Sequence, residues 1–161
     1  MYNIESFLSA RLFLVPEKVG KKIFFVSNLS GHLSLYVMDS KGSVPVPLLP
    51  PDIAVQNPHL VGNLYKVFPD LGQILIMLDN HGDEDYKPMF IPMDGGYPQP
   101  AFSERFDDHR FFLSKAYPGE NSAFFRAASH EEPMNTTLQV NFISGEILEL
   151  QQVCTVQNLK I

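Results

Sequence analysis

The 161-residue sequence has no tryptophan, one cysteine and no unbroken apolar run near the ~20 residues that a membrane-crossing helix requires. Cys154, being alone, can form no internal disulfide and cannot build a four-cysteine zinc site. Basic residues are also scarce, 12 against 18 acidic ones, for a formal charge of −6. The imbalance is uneven: Met1–Lys66 carries +2 and Val67–Ile161 carries −8. A chain so short of cations lacks the field that attracts phosphate backbones or anionic lipid, so neither nucleic acid nor a membrane surface is an expected partner. The apolar stretch between Met1 and Val15 is interrupted by Glu5 and Arg11 and leads into no small-residue cleavage pattern, so no signal peptide is expected and the cytoplasm is the default location. With 45% apolar and 19% charged residues, the composition is that of one soluble globular domain.

What the sequence does contain is a repeat. The run Ile23-Phe24-Phe25-Val26-Ser27-Asn28 returns 51 positions later as Ile74-Leu75-Ile76-Met77-Leu78-Asp79, and 49 positions after that, more weakly, as Ala123-Phe124-Phe125-Arg126-Ala127-Ala128. Periods of roughly 40–50 residues belong to propeller blades. Each copy continues through a polar turn, an apolar strand, a turn bearing glycine and a last short strand, as in Leu33–Asp39, Ser40-Lys41-Gly42 and Val44–Leu49. Glycine between β-rich runs is hairpin punctuation, so each copy reads as an antiparallel meander.

Pro45 and Pro47 precede Pro98 and Pro100 by 53 positions. Two prolines spaced by two remove donors from one side of a strand, which a sheet tolerates at its edge, so the fourth strand is expected outermost. Ile74–Leu78 is apolar without alternation, as in a strand covered on both faces. Tyr65–Phe68 and Arg110–Leu113 are the expected inner strands of copies two and three. Ahead of copy one, Ile4, Phe7, Leu8 and Leu12 recur at helical spacing and predict a short N-terminal helix, with an ordinary strand lead-in as the alternative. The expected fold is therefore all-β, a partial propeller of about three four-stranded antiparallel blades. Residues 1–20 form the helix and lead-in, 21–50 the first blade, 51–103 the second, and 104–161 the third blade and tail.

The string Phe25-Val26-Ser27-Asn28-Leu29-Ser30-Gly31, followed by Leu33-Ser34-Leu35-Tyr36-Val37-Met38-Asp39, resembles the blade motif of the propeller domain in prolyl oligopeptidase family serine peptidases, particularly the acylaminoacyl-peptidase-like branch. Asp79 through Gly82–Tyr86 to Met93-Asp94-Gly95-Gly96 looks like the following blade. Propellers of the TolB type share this wording. The resemblance implies a propeller that caps an α/β-hydrolase domain and restricts its substrates to peptides. The partners it implies are the remaining blades, the hydrolase domain and a peptide substrate. Its catalytic residues would lie in the hydrolase domain, and with no G-x-S-x-G elbow here none is assigned to this chain.

The residues themselves supply no strong competing site. Asp79, Asp83, Glu84 and Asp85 faintly resemble a calcium loop, yet lack its glycine and closing glutamate, so a solvated hairpin tip is expected and no metal or cofactor is assigned. Histidines 32, 59, 81, 109 and 130 show no paired spacing for zinc. Ser30-Gly31-His32 places a serine beside a histidine, but on a hairpin tip rather than a nucleophile elbow. Cys154 has no neighbouring base and reads as inert. Two other readings stay open: a free-standing propeller-type scaffold for a protein partner, and a small β-barrel whose aromatic residues line a ligand cavity. Self-association is also expected, because blades without neighbours leave apolar faces uncovered.

Overall fold

The computed structural model describes residues 11–55, 63–79, 85–102, 108–129 and 134–154. They form three separate four-stranded antiparallel sheets, each in simple sequential order. Sheet 1 contains β1 (Leu14–Val19), β2 (Lys22–Ser27), β3 (Ser34–Asp39) and β4 (Val46–Pro47). Sheet 2 contains β5 (Tyr65–Phe68), β6 (Gln73–Leu78), β7 (Lys87–Pro92) and β8 (Gln99–Pro100). Sheet 3 contains β9 (His109–Tyr117), β10 (Ser122–Ser129), β11 (Met134–Asn141) and β12 (Ile147–Cys154). Three sheets with open edges are not one barrel wall, so the barrel reading falls.

The register confirms the repeat residue by residue. Lys22 pairs with Asp39, Gln73 with Pro92 and Ser122 with Asn141, which makes Phe24, Leu75 and Phe124 equivalent. One backbone bond recurs at the same place: Ser40, Met93 and Phe142 donate their N–H groups to the carbonyls of Lys21, Gly72 and Asn121. In sheets 2 and 3 those acceptors close a 3-10 turn, Pro69–Leu71 and Pro118–Glu120, in the left-handed conformation. Glycine enters it freely at position 72, and asparagine is among the few side chains that tolerate it at 121.

The sheets stack face to face in chain order. Sheet 1 turns Phe24, Val26 and Leu35 forward onto Tyr65, Val67, Ile74, Ile76 and Ile91 of sheet 2, forming one buried core. Sheet 2 turns Phe68, Leu75 and Met77 forward onto Phe111, Leu113, Phe125, Leu138 and Val140 of sheet 3, forming the second. All of Ile74–Leu78 is therefore buried, alternate residues entering alternate cores. Phe142, just after β11, seals the second junction edge-on against Phe68 and Phe90, with ring centroids 5.3 and 4.9 Å away. Across the first, Gly95 lies against the Leu48 backbone, where an added Cβ would stand 3.0 Å from the Leu48 carbonyl oxygen; Gly96 donates to that oxygen at 3.0 Å.

The fourth strands β4 and β8 are two residues long and end in Pro47 and Pro100, as expected of proline-bearing outer edges. Differences appear at the N-terminus. Ile4, Phe7 and Leu8 lie outside the described residues, so the expected helix does too. Leu12 precedes β1 and donates its N–H to Asn28 Oδ1 at 2.8 Å. The lead-in before residue 20 carries β1, the inner strand of sheet 1.

Equivalent positions should respond unequally to truncation. Leu75→Ala, between two sheets, is expected to cost about 2–5 kcal/mol, and Phe24→Ala about 3–5 kcal/mol. Phe124→Ala, on a face no described sheet covers, should cost about 1 kcal/mol. Urea unfolding of the three variants measures the order.

Candidate functional site

Polar chemistry in the described structure concentrates along the inner strands, where adjacent sheets approach through their first strands. β1 is irregular between Leu14 and Glu17, and β9 is bulged at Ser114, since Phe124 pairs with Lys115 while Phe125 pairs with Leu113. A bulge releases backbone groups from the ladder, and those groups need other partners. Sheet 2 supplies them in both directions. The Tyr65 hydroxyl shares its proton between the carbonyls of Val15, at 2.5 Å, and Phe24, at 2.9 Å. Asn63 Nδ2 donates to Ser114 O at 2.9 Å and Leu113 O at 3.3 Å. Val15 adopts a positive φ of 49°, an uncommon conformation for a β-branched residue.

Glu17 completes this inner seam: its carboxylate meets Lys66 Nζ at 2.9 Å and accepts the Val67 N–H at 3.4 Å. Burial, together with the negative charge of Glu17, holds the Tyr65 phenol far above its ordinary range. It stays protonated and acts as a donor. The seam thus binds sheets to one another; it presents no activated nucleophile.

A second polar cluster joins sheets 2 and 3. Lys87 Nζ meets Asp85 at 3.1 Å and donates to the His109 carbonyl at 2.6 Å, while the Phe111 N–H donates to the Tyr86 carbonyl at 2.9 Å. His109 Nδ1 lies 2.6 Å from Asp108, and that hydrogen bond lowers the exposed Asp108 carboxyl below its usual range. Asp79 closes β6, with Oδ2 buried and unpartnered among the described residues. Asp83 and Glu84 lie outside the described residues, as do His59, His81 and His130. Among the described residues, no three histidine, cysteine or carboxylate side chains gather as a metal site.

The remaining sequence candidates separate. Ser30 and His32 occupy the β2–β3 turn, where the Tyr36 hydroxyl donates to Ser30 Oγ at 2.7 Å and accepts the Ser30 N–H at 3.0 Å. The serine is therefore engaged by a tyrosine that pins the turn. Cys154 ends β12, its backbone opposite Met134. No helix among the described residues is long and apolar enough to cross a membrane. Sequence reasoning placed Tyr65 and Lys66 on an inner strand but missed their roles and those of Asn63 and Glu17. Residues that satisfy carbonyls about 50 positions away leave no local signature.

No family model and no curated protein matches the sequence. Solved structures do. A TolB-like protein of Agrobacterium tumefaciens superposes on 88% of this chain with a TM-score of 0.62 at 17% identity, the match spanning 46% of that protein. A chain of the nidogen/laminin complex is similar over 89% of this chain, with a TM-score of 0.55, 12% identity and 49% of its own length covered. Puromycin hydrolase is similar over 89%, with a TM-score of 0.57, 17% identity and 24% of its length covered. The chain thus spans less than half of each. At such identities the likeness establishes the fold: the three sheets are blades of a β-propeller.

Tyr65→Phe tests the inner seam. Removing the hydroxyl leaves the buried Phe24 carbonyl and the part-buried Val15 carbonyl without their donor, and stability near pH 7 should fall by about 1–3 kcal/mol. The sign with pH is opposite. Because the folded phenol is raised above its unfolded value near 10, its contribution is complete below that pH and is lost as pH climbs beyond it. Above pH 10 the parent should therefore lose stability faster than the variant, narrowing the gap between their urea midpoints.

Proposed function

We propose that this chain is a non-catalytic propeller segment that gates and supports a serine peptidase of the prolyl oligopeptidase family. The observation that carries the proposal is the blade architecture itself: three meanders in repeated register, stacked forward to backward, with polar groups committed to holding blades together. The wording of blades one and two, Phe25–Asp39 and Asp79–Gly96, points to that family, and the likeness to puromycin hydrolase is consistent with it. In this reading the catalytic serine, aspartate and histidine reside in an α/β-hydrolase domain. The blades admit peptides by size. The second reading is a free-standing scaffold for a protein partner, favoured by the unrelated character of the nidogen/laminin neighbour.

A covalent fluorophosphonate probe discriminates the two. Native protein captured from its source with antibodies to this chain should carry a labelled serine hydrolase in the same polypeptide or in a stoichiometric partner. Capture without any labelled band refutes the peptidase reading.

A further inference from the structure

One position on the first strands matches across all three sheets: Glu17 stands opposite Phe24, Lys66 opposite Leu75 and Lys115 opposite Phe124. At the first junction the leading sheet brings the acid, and the Glu17 carboxylate meets Lys66 Nζ of the following sheet at 2.9 Å. At the second junction two lysines occupy this level. Lys66 is already engaged by Glu17, and Asn63 makes the link to sheet 3 through the Leu113 and Ser114 carbonyls instead. Lys115, exposed, lies with its Nζ 4.9 Å from the Tyr117 ring centroid.

A second cation shares the forward face of sheet 3. Arg126 stands where sheets 1 and 2 bury Val26 and Met77, and its guanidinium lies 4.5 Å from the Phe112 ring centroid. The Tyr117 ring meets Phe124 edge-on at 5.8 Å. Neither Lys115 nor Arg126 pairs with a carboxylate of the described residues. In sheets 1 and 2 the equivalent face is covered by the following sheet. Propeller rings hold roughly four to eight blades, so at least one more sheet belongs beside the three described. Seated in the same way, it would enclose Arg126 at the level where Val26 and Met77 are fully buried. An apolar cover would leave that guanidinium buried without a counter-charge, a cost that one ring contact does not offset.

We propose that sheet 3 is the seat of a further blade whose backward face is acidic, with one carboxylate against Arg126 and another, on its first strand, against Lys115. The third junction then repeats the Glu17–Lys66 contact with the charges exchanged. A guanidinium held against a ring presents its N–H edge in a fixed direction, which suits a bidentate carboxylate. A second copy of this chain does not supply such a face. The backward face of sheet 1 is closed, with Phe25 and Tyr36 each only 2% exposed, and it carries Lys18, a like charge.

The inference rests on the blade architecture and not on the peptidase reading, so a native protein that carries no labelled hydrolase leaves it intact. Native protein purified from its source is treated with a zero-length carbodiimide, which joins lysine amines to carboxylates in contact with them. Peptide mass spectrometry should find Lys115 linked to an aspartate or glutamate outside these 161 residues. The sign of a stability change supplies the second readout. In the native protein Arg126→Met, which installs the side chain that sheet 2 buries at this level, should lower the urea midpoint because it strands a buried carboxylate. Under an apolar cover the same substitution would raise it. Lys115→Met applies the same test on the first strand if Arg126→Met misfolds. An unlinked Lys115, a link confined to residues of this chain, or a midpoint that is unchanged or raised overturns the proposal.

Discussion

The structure depends on one constraint: a four-stranded sheet with apolar side chains on both faces cannot stand alone in water. β6 states it most plainly, since every residue of Ile74–Leu78 is buried and successive side chains enter different cores. Sheet 2 is folded by its neighbours as much as by its own ladder. Each junction in turn demands a face of matching depth, and the second combines the bulky rings of Phe68, Phe111 and Phe125 with the small side chains of Ala123 and Ala127. Without tryptophan or a disulfide, phenylalanine edges do the sealing.

Where sheets converge along their first strands, the packing problem becomes polar. Bulges release the carbonyls of Val15, Leu113 and Ser114 from their ladders, and Tyr65 and Asn63 of the middle sheet take them up. Apolar faces set how closely the sheets stack, while these few donors fix their relative slide. Glu17 and Lys66 add a charge pair at the same level, partly exposed and correspondingly modest in strength.

Much of the fold was legible in the sequence because repetition reports on structure without any need for absolute propensities. Equivalence of Phe24, Leu75 and Phe124 followed from spacing alone, and the proline pairs located the outer edge. β1 was legible only as the alternative of a strand lead-in: Leu14-Val15-Pro16-Glu17-Lys18-Val19 contains a proline and an irregular register, and so shows neither alternation nor an apolar run. The polar seam was less legible still. Tyr65 belongs to an apolar strand by composition, and only the three-dimensional approach of the Val15 and Phe24 carbonyls turns it into a clamp. Ser30 misled in the opposite sense, since proximity to His32 in sequence gave way to contact with Tyr36 across the hairpin.

The outer perimeter is not uniform around the described sheets. Sheets 1 and 2 finish in stubs of two residues closed by an imino acid, which gives an incoming strand almost nothing to pair with. Sheet 3 finishes in eight residues without proline, Ile147–Cys154. Cross-β growth of this protein would accordingly nucleate at that strand, and a charged or proline gatekeeper placed there would protect solutions of it against fibril formation.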